Sequence, residues 1–343
     1  MKKNLIMLLV LVILGGIAYW LYGTQTNSTL DQNVFTHFSI EDTASVSKIV
    51  IVDKITGSVT LTRNREKGIW LLDGKHRAKD RSVEICLEAI KNLEIKGNVS
   101  KNQQKTIISN AAGAGKKIEI YTDNDKVPEK IWISAGNTPD HHGDYFILQL
   151  PEKGISPEAF MVDIPMFAGY VTARFHTEYN DWRYSGIFNH PKLDFKNITV
   201  EEKASPENSF SIDWDGKEKF EISNPNSGSQ IKNINYTNTK DYLIRYKKIH
   251  LETFTLHLSE MQRDSVLNRV PDWKITVTDL EDKKKTLSLF YLPSKGNYQD
   301  FDGNDLPYNL DLMYATLGDG ELFRVQYEFV IKALLEPYSF FEL

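Results

Sequence analysis

The 343 residues carry 41 Lys and Arg against 46 Asp and Glu, a formal charge of −5, with a single cysteine. Mild acidity without a concentrated basic face excludes nucleic acid as a partner, and one thiol excludes an intramolecular disulfide framework. The chain must therefore be held together by apolar cores, and its length allows one or two of them.

The first element is the run LIMLLVLVILGGIAYWLYG. Residues 5–22 contain no charged side chain, and a bilayer crossing needs about 20 mostly apolar residues. Tyr19, Trp20 and Tyr22 gather at the outer end, where aromatic rings favour the interface. Lys2 and Lys3 precede the run and the next basic residue is Lys48, so the positive-inside rule places the N-terminus in the cytoplasm. The expectation is a single-pass signal anchor in an inner membrane over residues 1–23, with the bulk of the chain periplasmic. A cleaved signal peptide is the competing reading, but AYWLYGTQT lacks a small-x-small cleavage site.

Residues 24–45 are polar and read as a tether, with order starting near Lys48. SKIVIVD, GSVTLTR and GIWLL alternate as an antiparallel meander. AKDRSVEICLEAIKNLEI then sets Val83, Cys86 or Leu87, Ile90 and Leu93 on one helical stripe, with Asp80 as N-cap and Gly97 as stop. After a polar stretch come strands KKIEIYTD, EKIWISAG and DYFILQL, and ISPEAFMVDIPMFAGYV reads as a short helix interrupted at Pro165.

The same programme then repeats. KNITVEE, SFSIDWDG and KFEIS repeat the meander, and TKDYLIRYKKIHLETF repeats the helix, with Tyr242 or Leu243, Tyr246, Ile249 and Phe254 inward. DWKITVTD and KKTLSLFYL match KKIEIYTD and EKIWISAG, LFRVQ answers YFILQ, and YEFVIKALLEPYSFF supplies a closing helix expected to fold back onto the second copy. Aligning Ile49 with Ile198 and Ile118 with Ile275 gives offsets of about 150 residues, the size of a duplicated domain. The fold class is thus α+β, an N-terminal transmembrane helix followed by two tandem repeats at 46–190 and 191–343. The aromatic-containing junction implies copies that pack together.

The opening GSVTLTRNREKGIWLL, the helix after it and the junction NDWRYSGIFNHPKLDFKNITVEE resemble the bacterial family known as domain of unknown function 4340. The resemblance covers most of residues 46–330. It implies an N-terminal span, repeated units joining a strand meander to a helix, and genes beside ABC-2-type permeases and the auxiliary proteins of gliding-motility-like transporters. It supplies no catalytic residues.

Chemistry-bearing clusters fall short of their motifs. His141 and His142, between Asp140 and Asp144, lack the spacing of a metal site and read as a hairpin tip. Asp300, Asp302 and Asp305 around Gly303 miss the calcium loop, since its twelfth position is not glutamate. GAGKK lacks the upstream glycine and the Ser or Thr of a phosphate loop. Cys86 sits in an apolar stripe, and no nucleophile elbow or H-E-x-x-H occurs. No enzymatic activity and no cofactor are therefore expected. Trp70, Trp132, Trp214 and Trp273 read as core; Trp182, Arg183 and Tyr184 at the junction and Tyr338, Phe340 and Phe341 at the C-terminus are the interface candidates. The expected role is binding an envelope protein as an accessory of a transporter, gliding or secretion complex. The alternative is a ligand-binding or enzymatic domain acting on an envelope glycan, lipid or peptide in a cleft between the repeats.

Overall fold

The computed structural model describes residues 33–123, 126–294, 296, 298–299 and 303–343. The expected membrane segment 5–22 and Asp300 and Asp302 of the acidic loop lie outside the described residues. Among the described residues no helix is long and apolar enough to cross a membrane. The chain divides into two compact units, the first ending at Tyr184 and the second spanning Ser185–Leu343. Both are antiparallel sheets with few helices, a sheet-rich α+β arrangement.

In the first unit the meander forms as expected, with β1 (Lys48–Asp53), β2 (Gly57–Asn64), β3 (Ile69–Leu72) and the short β4 (His76–Arg77). Helix α1 (Asp80–Asn92) buries Val83, Cys86, Ala89 and Ile90, the stripe its spacing requires. Its N-cap is Lys79 rather than Asp80, which instead pairs with Arg77 at 2.7 Å. The helix ends well before Gly97. Leu93 turns extended and is buried in the core, leading into strand β5 (Glu94–Asn98).

The polar stretch that follows is a second helix, α2 (Lys101–Ala114), with only Ile107 and Ala111 buried. It is succeeded by β6 (Lys117–Tyr121), β7 (Lys130–Asn137), β8 (Asp144–Leu150), β9 (Gly154–Ile155) and β10 (Phe160–Asp163). The helix expected around Pro165 is absent. Phe160 and Val162 alternate into the core as β10 pairs between β8 and β5, and a 3-10 turn, Val171–Arg174, and a single helical turn, Tyr179–Trp182, follow.

The expected tether is also partly folded. From Asn33 the chain packs on the first unit, burying Phe38 against Trp132 and Phe160, and Ile40 N–H donates to Ile90 O at 3.0 Å. The apolar residues are too few and too dispersed among polar ones to give a period, yet Phe38 and Ile40 suffice to dock the segment.

The second unit comprises β11 (Gly186–Phe188), β12 (Phe195–Glu202), β13 (Phe210–Trp214), β14 (Phe220–Ser223), helix α3 (Tyr236–Ile244), β15 (Ile249–His250), β16 (Thr253–Phe254), helix α4 (Glu260–Leu267), β17 (Trp273–Asp279), β18 (Lys284–Pro293), β19 (Tyr308–Thr316) and β20 (Phe323–Gln326). Helix α3 is shorter than its sequence counterpart, because Ile249 and Phe254 are buried on strands. The closing helix is a π turn, Tyr327–Ile331, and two 3-10 turns, Lys332–Leu334 and Tyr338–Phe341, separated at Pro337. The proline removes a backbone donor and bars a continuous helix. The segment does fold back, burying Ile331, Leu334 and Phe341 in the core of this unit.

The strand order in the first sheet is β4-β3-β2-β1-β6-β7-β8-β10-β5, and in the second β14-β13-β12-β17-β18-β19-β20-β16. Eight strands correspond one to one, and α1 and α2 occupy the same places in the connection as α3 and α4. The registers agree as well. Ile49 faces Leu61 and Ile120 where Ile198 faces Ile212 and Val277, and Ile118 faces Trp132 where Ile275 faces Leu287. One sequence match is displaced by a strand: LFRVQ forms β20, the counterpart of β10, while YFILQ lies in β8, whose counterpart is β19.

Candidate functional site

The register of the first sheet gives it two ends. Lys48 lies opposite Tyr121 at one, while the β1–β2 turn, where Asp53 faces Gly57, and the β7–β8 hairpin, where Asn137 faces Asp144, lie at the other. Strand β10 runs from Phe160 opposite Phe146 to Val162 opposite Asp144, so it delivers residues 164–176 to the hairpin end.

That segment opens with a tight turn closed by Phe167 N–H to Ile164 O at 3.0 Å. Pro165 takes the second position and Met166 the third, with φ of +62°. This place ordinarily favours glycine, because a Cβ in the left-handed region crowds the following carbonyl. The consequence is a fully solvent-exposed Met166 at the tip. Phe167 lies beneath the Arg174 guanidinium, 4.1 Å from the ring centroid, a geometry in which the ring face attracts the cation.

Three anchors hold the segment. The buried Asp144 carboxylate accepts Val171 N–H at 2.5 Å, Thr172 N–H at 3.1 Å and the Thr172 hydroxyl at 2.9 Å. Burial raises its pKa above the usual carboxylate value even though these donors act to lower it. Phe175 is buried edge-on to Trp132 at 5.8 Å, and Trp182 stacks on His176 at 4.6 Å while its Nε1–H donates to His176 O at 2.8 Å. Tyr170 contacts His141 Nδ1 through its hydroxyl.

Between this segment and α1 lies a groove of about 360 Å³, into which Arg81, Glu88, Phe167, Arg174 and His176 project. Arg174 donates to Ile85 O at 3.3 Å and lies 3.9 Å from Glu88, which is 3.5 Å from Arg81. Arg174 Nε and His176 Nδ1 are buried without a hydrogen-bond partner in the protein. Burial lowers the His176 pKa below 6.5, against a rise from the nearby Asp181 and Glu178, which favours the neutral imidazole at neutral pH. A guanidinium braced on an aromatic ring, beside an exposed methionine, suits recognition of a peptide carrying apolar and acidic groups.

The sequence-selected residues sit elsewhere. Trp182 and Phe341 are buried in the cores of their own units, and Arg183 is buried as well. Phe341 packs between Phe210 and Tyr242. Tyr184 is half-buried under Arg77 at 4.3 Å, Tyr338 donates to Ser229 O at 2.9 Å, and Phe340 is half-buried. Trp182 contributes to the site only by positioning His176. Nothing in the residue pattern distinguishes Met166, Phe167 and Arg174 except the Pro165-Met166 pair, a turn former inside the apolar run IPMFAGY.

The histidine hairpin does not assemble a metal site. Asp140 bonds to Thr138 and to Lys96 at 2.9 Å, interactions that hold its pKa well below the usual range, and Asp144 is engaged as above. Among the described residues no group of His, Cys, Asp and Glu could hold a metal ion. The second glycine of GAGKK is structural: a Cβ at Gly115 would collide with the carbonyl oxygens of Ala111 and Ser134. Cys86 is buried, and burial pushes its thiol pKa far up, as suits a packing residue.

Searches with the sequence and the fold found no matching family model, no matching curated protein and no matching solved structure.

Proposed function

We propose that this is a bitopic inner-membrane protein whose periplasmic part consists of two copies of one α+β unit, and that it binds another envelope protein without catalysing a reaction. The observation that carries this reading is the Met166 tip with its groove. A fully exposed apolar side chain is fixed on a braced turn next to an Arg–Phe pair, and fixed apolar anchors beside Arg are the features that dominate protein interfaces. Correspondence of strand order and register supports the two-copy reading, and the charge-free run at 5–22 supports the anchor. Relationship to the domain of unknown function 4340 family, and with it a role beside an ABC-type transporter or gliding machinery, is part of the same proposal.

The test is a photocrosslinking amino acid at position 166 of the full chain in native membranes, with position 217, an exposed site in the second unit, as control. The expected result is a discrete adduct with one envelope protein at 166, absent at 217 and weakened by Arg174→Ala. Adducts that are the same at both positions, or none, would refute the reading.

A further inference from the structure

We infer that the end of the first unit opposite the Met166 tip rests on the phospholipid bilayer surface, through Val127, Pro128, Leu150, Pro151 and Ile155. This inference rests on the anchor reading above and adds to it an orientation and a lipid contact.

The sheet register defines this end. Tyr121, opposite Lys48, closes β6, and a loop of residues 126–129 leads into Lys130, while Leu150 opposite Gly154 forms the β8–β9 turn beside it. Between the two loops lies a groove of about 630 Å³ with Val127, Pro128, Leu150 and Pro151 in its wall. Val127 is 49% exposed, and Ile155, paired with Gln149 next to Leu150, is 55% exposed. Two prolines suit such a surface, because neither has an N–H that would lose its water on entering the interface. Glu129, Glu152 and Lys153 rim the groove, so both signs of charge meet the approaching surface. That mixture matches a headgroup layer carrying phosphate and ammonium together, and not a strongly anionic partner.

The chain itself arrives at this end. The Lys130 ammonium donates to His37 O at 2.9 Å and to Ser39 O at 2.5 Å, so the lead-in from Asn33 is fastened beside the same loops. The apolar run ends at Tyr22, and the ten residues 23–32 can span at most about 35 Å. The eight residues of β7 extend about 26 Å from Lys130 toward the hairpin end. An anchored unit oriented this way turns its Val127–Ile155 end to the lipid and its Met166 tip outward to a protein partner, so the two surfaces have separate occupants.

The experiment uses the full chain in phospholipid nanodiscs, with a fluorophore attached at Val127→Cys, at Lys153→Cys on the same end, or at Ile55→Cys on the opposite β1–β2 turn. Buried Cys86 stays unlabelled. Quenching by a headgroup spin label is expected to be at least threefold stronger at 127 and 153 than at 55. Incorporation with equal quenching at all three sites, or with stronger quenching at 55, would overturn the inference and leave the anchor intact. Failure of the chain to incorporate into discs or to float with vesicles would overturn the anchor and this orientation together.

Discussion

Asp144 and Met313 occupy the same position in the two sheets. Asp144 faces Val162 on β10, Met313 faces Val325 on β20, and both side chains are fully buried. The methionine fills its site with apolar contacts, whereas the carboxylate serves the backbone of Val171 and Thr172. One unit thereby acquires a pinned loop with an exposed tip, while the other closes the corresponding segment over its core.

Asp144→Ala leaves two backbone N–H groups and one hydroxyl without acceptors, and each buried unsatisfied donor costs about 1–3 kcal/mol. Urea denaturation is expected to show a loss of roughly 2–5 kcal/mol, with protease cleavage appearing at Arg174. The pH dependence has a definite sign. A carboxyl whose folded pKa is raised contributes stability below the unfolded value near 3.8 and loses that contribution as pH rises through the folded value. Asp144→Asn should flatten the stability curve in the window just above pH 3.8.

His176 acts in the opposite sense. Its folded pKa is lowered, mainly by burial, so its contribution is complete above pH 6.5 and is lost as pH falls through the folded value. Thermal unfolding at pH 7.5 and pH 5.0 should show a larger drop for the wild type than for His176→Gln. An equal drop would show that the imidazole is not the responsible group.

Gly113 and Gly115 separate helix propensity from packing. Nothing lies within reach of a Cβ at Gly113 inside α2, so Gly113→Ala should stabilise by up to about 1 kcal/mol. Gly115→Ala forces the β6 entrance away from Ser134 and should destabilise by about 1–3 kcal/mol. Paired chemical denaturation curves check both signs.

Lys130 and Lys285 correspond in register, opposite Ile120 and Val277, and each donates to carbonyls of the segment leading into its unit, Lys285 to Ile187 O. Burial lowers the pKa of both. Lys130→Met should cost about 1.5–3 kcal/mol, the range for hydrogen bonds from a charged group, and speed amide exchange at Ile40. Lys285→Met should release β11 instead, without effect on Ile40.

Much of this architecture could be read from the residues. The meanders 48–72 and 195–223 alternate with period two because one sheet face is buried and the other is not, and the α1 stripe follows from its three- and four-residue spacing. The correspondence of strand patterns between the two sheets was legible because Ile49, Ile118, Ile198 and Ile275 keep like neighbours. Helix α2 escaped notice because two buried side chains, Ile107 and Ala111, create no stripe, and its packing is supplied by β7 and β8, which are buried on both faces as a result. Strand β10 is four residues long, too short to display alternation, and takes its conformation from pairing with β8 and β5.

The sequence by itself therefore determined the local elements with strong periods, the matching strand patterns of its two halves and the apolar N-terminal run. Tertiary structure alone decided which aromatic residues are core and which face water. Trp182 and Phe341 have interface composition yet fill their own units, while Met166 faces water on a segment that Asp144, more than twenty residues away in the chain, pins at Val171 and Thr172. Side-chain chemistry is written in the sequence, but burial is set by contacts between distant residues, and those contacts form only when the sheet has closed.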